Sequence, residues 1–237
     1  MASKREKESG GDGRQRGSAR EESRGTNNGR FPGRSSESKS EFDTRLAGLL
    51  EACRKNLGSF DPSLVSKAFH LCYDAHRHSL RASGEPYYTH PVEVAHILVR
   101  EISLDDVSVA AALLHDVVED TEYTLDDIRA EFGDVVAEIV DGVTKITGVF
   151  NSHEVTQAAS YRKLLISMVG DVRVILVKFA DRLHNMRTLQ FLSDEKQKRM
   201  ARETLDIYAP FAHRFGLGNV KWELEDLSFK YLNPEAY

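Results

Sequence analysis

From Glu41 to the C-terminus, apolar residues recur every three or four positions, and this spacing restricts the fold more than any other feature. Leu46, Leu49, Leu50 and Cys53 form one such stripe. Side chains at i, i+3 and i+4 share one face of an α-helix, so the spacing predicts amphipathic helices. We find no run of alternating apolar and polar residues that would indicate a strand. The sequence therefore predicts an all-α domain, a helical bundle of about nine or ten helices.

Gly, Pro and capping residues divide this pattern into segments. The run 83–86 (SGEP) interrupts it because Gly and Pro both end helices, and Thr124 with Asp127 resembles a capping box. The β-branched run 172–177 continues into further apolar residues at helical spacing, so we predict a buried helix there. Beyond the interruption, helices are predicted over residues 91–99, 107–118, 124–133, 135–146, 154–168, 172–190, 194–215 and 219–231, with a loop at 148–153.

Residues 1–40 differ in composition from the rest of the chain. They carry a net charge of +4, against −5 for the whole chain, so the remaining residues carry −9. Their large apolar residues are too few to offset the entropy of ordering. We therefore expect a disordered N-terminal tail over 1–40, either simply solvated or, given its basic bias, able to contact RNA or acidic surfaces.

Several features point to a cytoplasmic protein. No apolar run approaches the ~18 residues that span a membrane, and the N-terminus lacks the apolar region of a secretory signal. Cys53 and Cys72 are far apart and have no CxxC partner. They predict two reduced, buried thiols, as is usual for a cytosolic protein.

A histidine and three carboxylates lie in and directly after the apolar run 110–114. They are His115, Asp116, Glu119 and Asp120. Such groups are costly to bury unless they are paired or bound to a metal. His115 with Glu119, and Asp116 with Asp120, are i,i+4 neighbours, so two polar stripes leave the predicted helix on one side. A structural hydrogen bond would explain one His–Asp pair, but four such groups favour a metal site.

Two further polar positions fit the same chemistry. His90 stands directly before a proline that starts a predicted helix. Asp181 shares one helix face with His184, Asn185 and Thr188. That face is polar within an otherwise apolar helix. The alternative is that Asp181 forms an ion pair with a neighbouring arginine on a solvated face.

Five motifs, in this order along the chain, resemble one family. They are residues 81–87 (RASGEPY), 90–91 (HP), 115–121 (HDVVEDT), 141–145 (DGVTK) and 181–188 (DRLHNMRT). The order H…HD…D is the signature of HD-domain phosphohydrolases. The surrounding residues closely resemble the hydrolase domain of RelA/SpoT-type (Rel) enzymes, which make and degrade the alarmone (p)ppGpp. The resemblance covers about residues 42–237.

This resemblance implies a metal site and a reaction. The implied ligands of a Mn²⁺ ion are His90, His115, Asp116 and Asp181. Mixed imidazole and carboxylate ligands suit Mn²⁺ without excluding Fe²⁺, Zn²⁺ or Mg²⁺. Glu119 and Asp120 would orient or deprotonate the attacking water. The implied reaction removes the 3′-diphosphate of ppGpp or pppGpp as pyrophosphate, leaving GDP or GTP. Some relatives have lost hydrolysis by degrading the HD and ED motifs, but both are intact here, which predicts an active hydrolase.

The resemblance also implies substrate contacts. Arg81 would stack on the guanine, as a planar guanidinium can. Contacts to ribose or phosphate would come from Ser83, Tyr87, Asn185 and Thr188, and Lys198 would face the 5′-phosphates. Ordinary polarity of loops and helix faces is the alternative for each residue taken singly. Many relatives carry Lys where this chain has Ala82, which puts one base contact in doubt.

We expect the HD-type (p)ppGpp hydrolase domain over 41–215 and a connector helix over 216–237 that leads toward a synthetase domain absent from this sequence. The chain would then be a truncated form of a bifunctional enzyme, or else a naturally short one. Its partners would be the alarmone substrate and, in the full-length enzyme, synthetase and C-terminal regulatory domains, with no membrane and no direct nucleic-acid contact. Two alternatives remain open: an HD phosphohydrolase of another phosphorylated nucleotide, and a catalytically silent module that senses nucleotide.

Overall fold

The computed structural model describes residues 39–150 and 170–237. Within these ranges there is no β-strand, and one isolated bridge pairs Leu80 with Pro86. The all-α prediction is confirmed. The α-helices are α1 Lys39–Asn56, α2 Pro62–His76, α3 Thr89–Ile97, α4 Asp106–Leu114, α5 Val117–Asp120, α6 Leu125–Phe132, α7 Asp134–Phe150, α8 Arg173–Arg187, α9 Asp194–Glu203, α10 Ala209–Arg214 and α11 Gly218–Leu232. Two π-helical turns, Leu98–Ile102 and Thr204–Tyr208, and a 3-10 turn, Leu189–Phe191, complete the described elements.

Side-chain caps explain where several helices begin. Asp61 accepts a hydrogen bond from the Ser63 N–H at the start of α2, and Asp105 accepts one from the Ser108 N–H at the start of α4. Each cap satisfies an N–H that has no partner within the helix. The capping box predicted at the start of α6 is confirmed, because the Thr124 and Asp127 side chains each accept from the other's backbone N–H.

Helix α4 lies at the centre of the domain. It packs against α2, α3, α7 and α8, and its residues 108–114 are all fully buried. Three successive alanines, 110–112, carry little side-chain bulk, so neighbouring helices can approach closely. The residues that follow the C-terminal end of α4 are therefore held in the interior of the bundle.

Several helix boundaries differ from the sequence-based predictions, and two of these differences change an element. The helix predicted over 107–118 is interrupted by a turn at His115 and Asp116, and α5 begins at Val117. Helix α7 extends to Phe150, so residues 148–150 of the predicted loop are helical, and residues 151–153 lie outside the described residues. Apolar periodicity did not reveal the first boundary because apolar residues stand on both sides of His115 and Asp116. The helix predicted over 154–168 lies outside the described residues.

The segment from α9 to α10 is continuous, but it changes its hydrogen-bond register at the π-helical turn Thr204–Tyr208. Pro210 follows this turn and has no N–H to donate, so a change of register is expected near it. Arg182 of α8 contacts the segment at two points. It pairs with Glu203 at 2.6 Å and lies 4.1 Å above the centre of the Tyr208 ring. These contacts hold α8 against the C-terminal helices.

The described helices belong to one compact unit, Glu37–Tyr237. Residues 1–38 lie outside the described residues, and so does most of the predicted tail; Lys39 and Ser40 already belong to α1. Helix α11 packs on α8, α9 and α10. Cys53 and Cys72 are free and buried, as predicted. Among the described helices, none combines the length and apolar character needed to cross a membrane.

Candidate metal centre and active site

Four predicted metal ligands converge from three places in the fold. His90 lies in the first turn of α3, His115 and Asp116 occupy the turn between α4 and α5, and Asp181 lies in the middle of α8. Ligand atoms of His90, His115 and Asp181 all lie within 4.8 Å of one another. The carboxylate of Asp116 joins them, with its oxygens 3.6 Å from His90 Nε2 and 3.1 Å from His115 Nε2.

His115 provides the test of whether these residues fit a metal ion. Its Nδ1 lies 2.7 Å from the Ala112 carbonyl oxygen, so Nδ1 carries the hydrogen and donates it. Nε2 is then a bare acceptor, and it is buried without a hydrogen-bond partner among the described residues. A buried polar atom without a partner is costly. The nearest groups to Nε2 are the carboxylate oxygens of Asp116 and Asp181, which cannot donate a hydrogen bond. A cation between Nε2 and these two carboxylates would satisfy all three groups.

His90 is arranged in the same way. Its Nδ1 lies 2.7 Å from Nδ1 of His184, and its Nε2 lies 3.2 Å from Oδ1 of Asp181. Burial lowers the pKa of His90, although the nearby carboxylates oppose the shift. The neutral imidazole is the form that binds metals, through whichever nitrogen lacks the hydrogen.

Asp181 is held in place by two side chains of its own helix. Lys178 donates to Oδ2 at 2.6 Å, and Asn185 donates to Oδ1 at 2.5 Å. Burial alone would raise the pKa of Asp181, but the Lys178 ammonium holds it well below its usual range. Asp181 is therefore ionised at neutral pH, as a ligand must be.

The Tyr87 hydroxyl donates to Oδ2 of Asp116 at 2.9 Å. Burial, together with the charge of Asp116, raises the pKa of Tyr87, so its hydroxyl keeps its hydrogen. The sequence resemblance assigned Tyr87 to ribose or phosphate. In the structure, its hydroxyl orients a carboxylate of the metal cluster.

The cluster lies at one side of a cavity of about 420 Å³, within the usual range of about 300–1,000 Å³ for small-molecule sites. Most predicted site residues line this cavity: Arg81, Ser83, Tyr87, His90, Asp116, Glu119, Asp120, Asp181, Asn185 and Thr188. Lys198 does not line it. It is exposed on α9 and borders a separate recess with Arg199 and Arg202.

Glu119 and Asp120 end the short helix α5, one turn beyond the His115–Asp116 pair. Both are exposed to solvent at the cavity. Partial burial and the charge of Asp116 raise the pKa of Glu119. A carboxylate with a raised pKa is a better proton acceptor at neutral pH. The arrangement thus places potential proton acceptors beside a potential metal site.

Arg81 faces the same cavity from the loop that precedes α3. Its Nη2 donates to Asn185 Oδ1 at 3.2 Å and to Thr188 Oγ1 at 3.3 Å. Its Nη1 lies 3.3 Å from Nδ1 of His184. Three residues that the resemblance assigned to substrate therefore contact one another in this structure.

Comparison with known proteins identifies the family. The sequence profile of the HD domain matches residues 68–218, which is more than half of the chain. The chain belongs to the HD-domain family. The matched range contains His90, His115, Asp116 and Asp181, the four residues that the sequence resemblance implied as ligands.

Relatives of this HD domain carry informative names. It is 53% identical over 175 residues to a probable guanosine-3′,5′-bis(diphosphate) 3′-pyrophosphohydrolase of Synechocystis, and 51% identical over 174 residues to the bifunctional (p)ppGpp synthase/hydrolase SpoT of Escherichia coli. Each match covers 73% of this chain but only 23% and 25% of the respective relative. The resemblance to RelA/SpoT-type hydrolase domains is confirmed.

One solved structure resembles a large part of this chain. It is a metazoan protein described as an ortholog of SpoT that hydrolyzes ppGpp. The match has a TM-score of 0.54 and 25% identity, and it covers 74% of this chain and 99% of the other. Almost the whole of the other chain is thus matched by part of this one.

Two residues of the HD site, Lys178 and His184, had no role predicted from the sequence. Lys178 precedes Asp181 by three residues and His184 follows it by three, so both share its helix face. That spacing could have indicated that Lys178 balances the buried charge of Asp181. The contact between His184 and His90 joins residues 94 positions apart, and no local pattern indicates it.

Proposed function

We propose that this HD domain is a metal-dependent 3′-pyrophosphohydrolase of guanosine-3′,5′-bis(diphosphate). It would release pyrophosphate and leave GDP, or leave GTP when the substrate is pppGpp. The observation that carries this proposal is the cavity, which is lined by three of the four proposed ligands, His90, Asp116 and Asp181, together with Glu119, Asp120 and Arg81. The names of the relatives agree with this activity.

The proposed ligands of the metal are His90, His115, Asp116 and Asp181. Two neutral imidazoles and two carboxylates suit Mn²⁺, which is our proposed ion, although this ligand set also accepts other divalent cations. When bound, such an ion polarises a phosphoryl oxygen and makes a nearby water easier to deprotonate. The protein supplies the ligand geometry through the hydrogen bonds that hold each donor atom in place.

Glu119 and Asp120 are the proposed catalytic residues. They would orient a water molecule toward the phosphorus that is attached to the ribose 3′-oxygen and accept its proton. A new bond forms between the water oxygen and this phosphorus, and the bond to the 3′-oxygen breaks. The 3′-oxygen takes up a proton, and pyrophosphate leaves. The raised pKa of Glu119 favours proton acceptance near neutral pH.

The other walls of the cavity would bind the nucleotide. We propose that Arg81 contacts the guanine and that Ser83, Tyr87, Asn185 and Thr188 face ribose and phosphates, since all of them line the cavity. Lys198 lies outside the cavity lining, so contact with the 5′-phosphates would require them to extend beyond it. The proposed domain limits are 41–215 for the hydrolase and 216–237 for a connector, preceded by a tail over 1–40.

One experiment tests the activity directly. Purified protein is incubated with ppGpp and Mn²⁺, and GDP and pyrophosphate are measured, with EDTA added in a parallel sample. Asp120→Asn should lose most of the activity. Asp126→Asn is the matched control, because Asp126 pairs only with Arg129 on the exposed side of α6 among the described residues. Intact ppGpp after prolonged incubation with metal would refute the proposed reaction.

A second candidate is hydrolysis of another phosphorylated nucleotide. Ala82 lines the cavity, and its methyl group offers no hydrogen bond with which to distinguish guanine from adenine. The rates for ppGpp and for the adenosine compound with the same phosphates decide between the candidates. A site that hydrogen-bonds its base discriminates strongly against the wrong one. Equal rates would therefore favour the broader specificity.

A further inference from the structure

The loop that carries Arg81 is a tight hairpin, residues 79–87. The Tyr87 N–H donates to the Ser79 carbonyl oxygen at 2.9 Å, and the Arg81 N–H donates to the Glu85 carbonyl oxygen at 2.9 Å. These two backbone hydrogen bonds fix the backbone of the hairpin and so restrict where the Arg81 side chain can lie. Its contacts with α8 are therefore constraints on α8 as well.

One chain of hydrogen bonds runs from Arg81 to the ligand Asp181. Arg81 Nη2 donates to Asn185 Oδ1 at 3.2 Å, and Asn185 Nδ2 donates to Asp181 Oδ1 at 2.5 Å. A side-chain amide has its acceptor and its donors on opposite arms. By binding the acceptor arm, Arg81 directs the donor arm of Asn185 toward the carboxylate oxygen that faces the two histidines.

A second chain runs from Arg81 to the ligand His90. A guanidinium only donates, so Nδ1 of His184 must accept from Arg81, at 3.3 Å. That same Nδ1 lies 2.7 Å from Nδ1 of His90, which must then carry a hydrogen. The Nε2 atom of His90 is consequently left with a free lone pair toward the cluster. Arg81 thus selects the tautomer of His90 that binds a metal.

The far end of the same hairpin reaches a third ligand, because Tyr87 donates to Asp116. The hairpin therefore holds three of the four proposed ligands: Asp181 and His90 through Arg81, and Asp116 through Tyr87. Residues of this hairpin also line the cavity where the nucleotide would bind.

We propose that Arg81 is a positioning residue for the metal centre. Metal binding is thereby coupled to the binding of a nucleotide in the cavity that hairpin 79–87 lines. The proposal rests on the proposed function of the cavity. A nucleotide that draws Arg81 away from His184 and Asn185 loosens the support of two ligands, and a bound metal keeps Arg81 in place. Coupling of this kind is reciprocal, so each ligand changes the affinity for the other by the same factor.

The test measures Mn²⁺ affinity without nucleotide, from the electron paramagnetic resonance signal of free Mn²⁺. Arg81→Lys keeps the charge but loses the planar fork that reaches both partners. We expect it to weaken Mn²⁺ binding by about three- to tenfold, less than the 10–100-fold typical of residues that contact ligands directly. Arg77→Lys is the matched control, since Arg77 is exposed and bonds to His78.

A role of the Arg81 charge and a role of the Arg81 position predict opposite changes in Mn²⁺ affinity. If Arg81 acted only by repelling the cation, Arg81→Lys would leave the Mn²⁺ affinity unchanged and Arg81→Met would increase it. Either result would overturn the proposal. Both variants should weaken binding if position matters. If the wild type hydrolyses ppGpp but Arg81→Lys binds Mn²⁺ with normal affinity, the role of Arg81 is refuted and the proposed function stands. If the wild type leaves ppGpp intact, the proposed function itself is refuted.

A second pair of variants and a spectroscopic measurement do not depend on Arg81. His184→Asn keeps an acceptor near the position of Nδ1, whereas His184→Leu removes it, so only the latter should weaken Mn²⁺ binding. Equal affinities would contradict the role of His184. In metal-free protein, ¹⁵N spectra of the imidazoles should show the hydrogen on Nδ1 of His90 and on Nε2 of His184. The opposite tautomers would overturn the proposal.

Discussion

Gly142 of α7 packs tightly against Val174 of α8, and adding one methyl group there should disturb the packing of the two helices. A Cβ atom on Gly142 would lie 2.6 Å from Cγ2 and 3.0 Å from Cγ1 of Val174. Real Cβ atoms do not approach other atoms so closely, and Val174 is only 3% exposed, so its side chain has little room to move. Gly142→Ala should therefore push α8 away from α7.

The expected cost follows from two opposing terms. Overpacking of a core costs about 1–3 kcal/mol, and alanine in a helix is favoured over glycine by about 1 kcal/mol. The net loss for Gly142→Ala is thus up to about 2 kcal/mol, or up to about 8 °C in melting temperature for a domain of this size.

Gly48 provides a matched control. It is exposed in α1, and no atom lies within 4 Å of the position of its added Cβ. Only the helix-propensity term applies there, so Gly48→Ala should stabilise the protein by about 1 kcal/mol. The difference between the two variants therefore isolates the overpacking term.

Urea unfolding measures both variants, and Val174→Ala completes a double-mutant cycle. Removing the two Cγ atoms of Val174 makes room for the methyl group added by Gly142→Ala, so the double variant should be more stable than the sum of the single effects predicts, by about 0.5–3 kcal/mol. Additive effects, or a Gly142→Ala variant as stable as Gly48→Ala, would show that this contact is not tight. Asp181 lies two turns further along α8, so Mn²⁺ affinity should fall together with the stability of Gly142→Ala.

Three further predictions concern the metal site and pH. Tyr87→Phe removes the hydrogen bond to Asp116 and should weaken Mn²⁺ binding by about 10–100-fold in calorimetric titrations; an unchanged affinity would contradict this support. Mn²⁺ at about 100 times its dissociation constant should stabilise the fold by about 2.7 kcal/mol; EDTA should reverse the rise in melting temperature, and Asp181→Asn should abolish it. Burial, together with Arg100, lowers the pKa of His96 from 6.5 to about 4. The folded protein then binds fewer protons than the unfolded chain, so stability should fall as pH drops from 6.5 to about 4. His96→Gln should reduce that slope in unfolding curves recorded across this range, and an unchanged slope would rule out His96 as its source.

Much of the fold could be predicted because its causes are local. Apolar residues at helical spacing predicted α1 and α8, and the capping box at Thr124 placed the start of α6. The break at His115 and Asp116 could not be predicted in this way. Apolar residues stand on both sides of the pair, and the pair is accommodated by contacts from α3 and α8.

The sequence by itself determined the all-α class, the family, and the four residues expected to bind a metal, because motifs and periodicity are properties of neighbouring residues. Only the tertiary structure decided how these residues are held. It placed His184 beside His90 and Arg81 beside Asn185, and it directed Tyr87 to Asp116. It also placed Lys198 outside the cavity lining. Such contacts depend on distances between helices, which arise only when the apolar faces of the helices pack together in three dimensions.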